Sequence, residues 1–283
     1  MTYKIIDIEQ GSDAWKSYRR THIGASEASA IMGCGFQSAY DLWMDKLGFG
    51  KEQTNPYMRR GSELEPIARK EFIKQTGILM TPQVIESTVH PFMIASLDGL
   101  DFDAKYAVEI KVPGKEKHAM AMDGVVPEIY KSQLNHQMFI LQIPMIYYYS
   151  YSEDSSKIIE VPYDSSYTMD MIEKEKEFFR CLTELESPAL SEKDYATCTD
   201  VQALEEATML IQDLLQLKEV EKRVELRKQN LKQYAGNSNM KIGDVKLTKI
   251  VRKGVIDYKN AEQLQGLDLE YLRKPSSTYW KIA

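Results

Sequence analysis

Cysteine is scarce in this 283-residue chain: Cys34, Cys181 and Cys198 stand far apart and are odd in number. No C-x-x-C pair occurs, which argues against a disulfide framework, an iron–sulfur cluster or a structural zinc site and points to a reducing compartment. Histidine is also thin, and His22, His90, His118 and His136 share no metal-ligand spacing. No stretch reaches the roughly 18 apolar residues a membrane-spanning helix needs. "MTYKIIDIEQGSDAW" has no apolar core of the kind a signal peptide carries. A cytoplasmic protein without membrane association is therefore expected. The longest apolar-aromatic run, "MFILQIPMIYYYSY", is interrupted by Gln142 and Pro144 and reads as a buried strand. Positive charge is not in excess, with 36 basic and 42 acidic residues and a net charge of -6. A general polyanion binder is disfavoured, although a basic groove remains compatible because local fields decide. Excess acid also suits a protein that gathers carboxylates around divalent cations. No internal repeat or low-complexity segment is present.

The first third reads as helices and loops. "SDAWKSYRRTH" opens on a capping-type Ser12, "GASEASAIMG" places Ser26 at a cap position, and "SAYDLWMDKLG" forms a short amphipathic helix. In "MRRGSELEPIARKEFIKQTG", Leu64, Ile67, Ala68, Phe72 and Ile73 share one face and Gly77 ends the helix. The period then changes. "QVIESTVHPFMIASLDGLD", "YAVEIKVPG", "PMIYYYSYS" and "KIIEVPYD" read as strands, with "EIYKSQLNHQMFILQI" helical between them. An α/β fold follows, a mixed sheet with helices against it. Residues 1–163 form the expected core and 164–283 an extension. The extension holds an amphipathic helix, then a long one with Leu210, Leu214, Leu217, Val220, Val224 and Leu231 at helical steps. That long helix reads as packed on its own domain or on a neighbouring helix. A basic hairpin with Lys246, Lys249, Arg252 and Lys253 closes the extension.

"SLDGLDFDAKYAVEIKVPG" carries the chemistry. Asp98 precedes Gly99 and reads as a turn residue. On a strand, Glu109 and Lys111 share one face while Val108, Ile110 and Val112 share the other. Two acids and a lysine at a sheet rim suit metal-assisted phosphodiester hydrolysis. Mg²⁺ takes one or two carboxylates plus substrate phosphate, and a lysine can orient water or offset developing charge. The plain alternative is a surface strand with a Glu–Lys ion pair.

The same segment resembles the PD-(D/E)xK nuclease signature, with Leu97 where such families often have proline. More specifically, the chain resembles the phage lambda exonuclease, or YqaJ-type viral recombinase, family. Four segments carry this: "WKSYRRTHIGASE" from Trp15, "RGSELEPIA" from Arg60, the Asp98 and Glu109–Lys111 centre, and "YKSQLNHQM" from Tyr130. They occur in the family's order between Trp15 and Met138. The resemblance implies a PD-(D/E)xK restriction-endonuclease-like core with helices on both sides. It implies degradation of duplex DNA from the 5′ end, leaving a 3′ strand for a single-strand annealing protein. Asp98, Glu109 and the carbonyl of Ile110 would hold Mg²⁺, with Mn²⁺ as the alternative ion. Glu65 would hold or orient a second ion or its water, Lys111 would position or activate the attacking water, and Gln133 would support it. Arg19, Ser26 and Ser96 would hold the 5′-phosphate, and Arg60 the DNA backbone. A second family glutamine is replaced by Asn135. Family members often form rings, so a homo-oligomer such as a ring-shaped trimer, in a phage host's cytoplasm, is implied. A PD-(D/E)xK endonuclease and a non-catalytic DNA-binding module are the rival readings. From the residues alone, Arg19 reads as a solvated helix arginine, Ser26 as a plain cap and Glu65 as an i,i+4 partner of Arg69.

Overall fold

The computed structural model describes residues 2–50, 56–252 and 277–282, the side chains of 56–58, 252 and 277–282 excepted. The chain divides into two compact units, Met1–Ala196 and Thr197–Ala283.

In the first unit a mixed sheet takes strands in the order β1 (Tyr3–Ile5), β3 (Thr81–Ser87), β4 (Met93–Leu100), β5 (Ala107–Lys111), β6 (Met145–Tyr151) and β7 (Ser156–Pro162). The two-residue β2 (Ile23–Gly24) pairs with the start of β4. Neighbouring strands run antiparallel except β5 with β6 and β2 with β4. Among the described residues of this unit, seven helices accompany the sheet: α1 (Asp13–Arg20), α2 (Ala28–Ile31), α3 (Ala39–Lys46), α4 (Pro56–Thr76), α5 (Lys115–Met122), α6 (Glu128–Leu141) and α7 (Ser165–Glu184).

The β5 alternation sorts its residues as the period of two requires. Val108 and Ile110 pack with Ala68 and Phe72 of α4 and Tyr149 of β6. Ala107 instead joins the larger core of Leu97, Leu134 and Met138, which includes the buried face of α6. Each fully buried side chain of this size contributes about 1.5–3 kcal/mol, so helices on both faces pin the register of β5. Ile67, expected on the buried face of α4, is exposed instead. Met138–Leu141, which fall in both the helical and the strand reading, complete α6; the chain passes through Gln142 in the left-handed region, and the strand starts only at Met145.

Helix α7 belongs to this unit. Phe178 packs with Ile23, Ala30 and Leu42, and Glu175 bonds the buried His136 of α6 at 2.8 Å. The first unit therefore continues to Ala196, beyond the boundary expected at Tyr163.

The second unit holds α8 (Val201–Ala235) and a sheet of order β10 (Ser277–Ile282), β9 (Val245–Arg252) and β8 (Met240–Ile242). Asp200 caps α8. Its apolar residues from Leu204 to Val224 are exposed, where packing was expected. The expected basic hairpin is β8–β9, turning through Gly243 at φ 58°. Lys253 and the side chain of Arg252 lie outside the described residues.

Candidate active site

One edge of β4 is shared. At its start Met93 and Ile94 pair with Ile23 and Gly24 of β2, and at its end Gly99 and Leu100 pair with Val108 and Ala107 of β5. Between these pairings, Ser96 and Asp98 face a fork in the sheet. A pocket of about 700 Å³ opens there. Its lining includes Asp98, Glu109, Ile110, Lys111, Glu65, Gln133, Arg19, Ser26 and Ser96. All the residues expected to act together thus face one cavity, except Arg60. Arg60 is exposed, pairs with Glu153 at 2.9 Å and is not among the lining residues.

Asp98 was expected at a turn and instead lies inside β4. Gly99 has its own reason: an added Cβ would meet Val108 Cγ1 at 2.7 Å and Met80 Cβ at 2.8 Å. Asp98 Oδ2 accepts the Ile110 N–H at 2.8 Å, which bridges the fork. Burial and the neighbouring Glu109 carboxylate push the Asp98 carboxyl well above the usual carboxylate range. Glu109 is 1% exposed. Its Oε1 accepts from Gln133 at 2.6 Å and Lys111 at 2.5 Å, and its Oε2 from Gln137 at 2.5 Å. Burial alone would lower the Lys111 ammonium, but Glu109 and Asp98 outweigh it and hold its pKa above the ordinary lysine value. The ammonium also lies 5.3 Å from the centre of the Tyr130 ring. Glu65 on α4 is ion-paired to Arg69 one turn on, and Arg69 Nε donates to the Asp98 carbonyl at 2.5 Å. Burial raises the Glu65 carboxyl, with Arg69 offsetting only part of it.

The donor set was tested against a divalent cation. Among the described residues no three His, Cys, Asp or Glu side chains converge into a ready metal cage. Burial and the neighbouring Glu109 carboxylate, however, disfavour ionisation of Asp98. Hard oxygen donors of this number are what Mg²⁺ takes from a protein when substrate and water complete its shell. Asp98, Glu109 and Ile110 fit that ion. Glu65, whose Oε1 is held by Arg69, adds a further carboxylate from α4.

At the other end of the pocket Arg19 is tightly held. Its Nη2 donates to Ser26 Oγ at 3.1 Å and to Glu27 Oε1 at 2.9 Å, and its guanidinium lies 4.6 Å from the Trp15 ring centre. Trp15 Nε1 in turn donates to Ser96 Oγ at 2.8 Å. Ser26 does not cap a helix. It sits in the 3-10 turn Ala25–Glu27, where Glu27 Oε2 takes the Gly24 N–H at 2.7 Å. Lys46 donates to the same oxygen at 2.8 Å. Burial alone would raise the Glu27 carboxyl, but Arg19 and Lys46 pull it below the ordinary range.

Sequence reasoning missed Gln137, Glu27 and Lys46. Gln137 had a readable signal: four residues after Gln133, it falls on the same helix face. Asn135, two residues on, faces away and accepts from the Asp164 N–H at 3.0 Å and from Thr168 Oγ1 at 3.3 Å. Lys46 had no local signal, because its partner lies on another element.

A mixed sheet forked beside two carboxylates and a lysine, with helices on both faces, defines a PD-(D/E)xK-like core. Residues 14–143 match the family model of the YqaJ-like viral recombinase domain. The protein YqaJ of Bacillus subtilis (strain 168), itself uncharacterised, is 29% identical over 138 residues. That alignment takes in 47% of this chain and 43% of YqaJ, so the chain spans less than half of that relative's length. Two crystal structures of LHK-Exo, an alkaline exonuclease from Laribacter hongkongensis, one of them in complex with dAMP, share the fold. Each has a TM-score of 0.55 and 24% identity, covering 62% of this chain and 94% of LHK-Exo. Among the described residues no helix is long and apolar enough to cross a membrane.

Proposed function

We propose that this protein is a nuclease, and in particular a Mg²⁺-dependent exonuclease that degrades one strand of duplex DNA from its 5′ end. The observation that carries this reading is the single pocket joining Asp98, Glu109 and Lys111 to the Arg19–Ser26 corner. The YqaJ-like domain and the fold shared with an alkaline exonuclease support it.

In this reading Asp98, Glu109 and the Ile110 carbonyl hold the ion. When bound, it polarises a phosphoryl oxygen and lowers the pKa of a coordinated water. The chain's own groups do the rest. Lys111 donates to the attacking water and offsets charge on the phosphate oxygens. Gln133 keeps the Glu109 carboxylate in place, and Glu65, steadied by Arg69, orients water from the α4 side. The planar guanidinium of Arg19, already fixed by Trp15 and Glu27, offers a fork suited to a terminal phosphate. Ser26 and Ser96 supply hydroxyls beside it. A pocket that grips the terminal phosphate favours ends over internal sites, which distinguishes this reading from an endonuclease. The 3′ strand left behind would pass to a single-strand annealing protein, and a homo-oligomeric ring would keep the enzyme on its duplex.

The test is digestion of end-labelled linear duplexes carrying either a 5′-phosphate or a 5′-hydroxyl. Faster loss of the 5′-phosphorylated strand, dependent on Mg²⁺ and abolished by Lys111→Ala, is expected. No loss with any divalent cation would leave a non-catalytic binding module.

A further inference from the structure

Phe36 is 81% exposed, yet its backbone is firmly set. The N–H groups of Cys34 and Gly35 both donate to the Ser29 carbonyl, at 3.0 and 2.7 Å. At Gly35 an added Cβ would stand 2.8 Å from the Ala30 nitrogen, so this close approach needs glycine. Two residues on, Ser38 caps α3 through a capping box. The turn therefore presents a large apolar ring to solvent and forgoes the burial a phenylalanine normally gains. Phe49 and Phe102 are also exposed but do not line the pocket; Phe36 does. The Lys117 ammonium lies 4.8 Å from the Phe36 ring centre, and Lys117 lines the same pocket.

A fixed aromatic ring beside a cation, at the mouth of a pocket with an acidic floor, has the elements of a single-strand nucleic-acid contact. Every base offers a π-face to stack, and the cation answers the backbone. A stacking contact is also uncharged, so it holds a strand close to Asp98 and Glu109 without adding to the charge there. We propose that Phe36 and Lys117 form a nucleobase subsite. Phe36 stacks on an unpaired base of a DNA strand entering the pocket, and Lys117 contacts the adjoining phosphate. This deepens the nuclease reading and rests on it.

The experiment measures duplex binding by the full chain with Ca²⁺ in place of Mg²⁺, so that the DNA stays intact. An abasic site is stepped one position at a time from the end of each strand. Phe36→Ala weakens binding roughly 5- to 150-fold, and Phe36→Trp retains it. At one position the abasic site weakens binding to the wild type by a similar factor and leaves binding to Phe36→Ala unchanged. Equal losses for wild type and Phe36→Ala at every position would overturn the subsite while Mg²⁺-dependent strand loss still upheld the nuclease. Absence of duplex binding together with absence of strand loss in the wild type would overturn both.

Discussion

Replacing Gln137 with methionine tests how the Glu109 carboxylate is held. Gln137 is fully buried, and its Nε2 donates to Glu109 Oε2 at 2.5 Å. Its own Oε1 is buried without a hydrogen-bond partner. The two halves of one amide therefore act in opposite directions. A hydrogen bond to a charged group contributes about 1.5–3 kcal/mol, while an unsatisfied buried acceptor costs about 1–3 kcal/mol. Methionine is close in volume, removes both terms and leaves little cavity, so the net loss of stability is expected to stay below about 2 kcal/mol. The effect on the site is larger. Glu109 Oε2 loses its fixed donor, and removing a group that orients a metal ligand costs about 10- to 100-fold in metal affinity. The assay is calorimetric titration of wild type and Gln137→Met with Mn²⁺, paired with thermal melts. Weaker ion binding with little change in melting is expected. Unchanged Mn²⁺ affinity would refute the idea that this bond sets the carboxylate, and wholesale unfolding would refute the balance of terms.

Three further outcomes follow from other parts of the site. Arg19→Lys keeps a charge but loses the planar guanidinium, whose Nη2 reaches both Ser26 and Glu27. Preference for 5′-phosphorylated over 5′-hydroxyl duplex ends should fall about 10-fold or more, the worth of a charge-assisted bond, and an unchanged ratio would remove Arg19 from the phosphate contact. Glu27 has a depressed pKa, so its stabilisation is complete above the ordinary value of 4.5 and is lost as pH falls through the lower folded-state value. Glu27→Gln, which leaves the buried Lys46 with the Arg19 and His22 carbonyls but no carboxylate, should cost about 3 kcal/mol at neutral pH. Urea midpoints for the two proteins should converge on acidification below that range, and a gap that persists in acid would contradict the assignment. Gly99→Ala forces a methyl against Val108 and Met80 and should cost about 1–3 kcal/mol by overpacking; an unaltered thermal midpoint would show that β4 has room there.

The parts of the fold that were legible are those written in local period. Val108, Glu109, Ile110 and Lys111 alternate, and the structure sorts them to the two sheet faces accordingly. Gly77 and Ser12 marked helix ends that the structure also has. Other settings are fixed by side-chain partners that the local period does not show. Ser26 resembles a cap until Glu27 is seen to take the Gly24 N–H under the pull of Arg19 and Lys46. Arg60 pairs with Glu153, on the β6–β7 connection, a partner no local pattern announces. The expected boundary at Tyr163 reflected a change in composition, whereas His136 and Glu175 tie α7 to the core through a pair buried on both sides.

Asp98 shows most clearly how a residue can be singled out for an incomplete reason. An Asp-Gly step reads as a turn, because glycine usually marks backbone freedom. Here the glycine serves the opposite end. Val108 and Met80 press so closely on β4 that only a missing side chain lets the strand pass, and the strand continues straight through Asp98. That continuity gives the site its geometry. A turn at Asp98 would let the carboxylate swing into solvent, where its pKa would be ordinary. A strand holds it at the fork, fixed by the Ile110 N–H and pressed toward Glu109. The electrostatic tension of two neighbouring carboxylates, which a divalent cation would relieve, thus depends on a packing constraint at the next residue. Loosening that constraint, by Val108→Ala for instance, should relax the fork and weaken Mn²⁺ binding with every ligand still in the sequence. Titration of that variant checks this, and undiminished affinity would show that the fork does not depend on the crowding at Gly99.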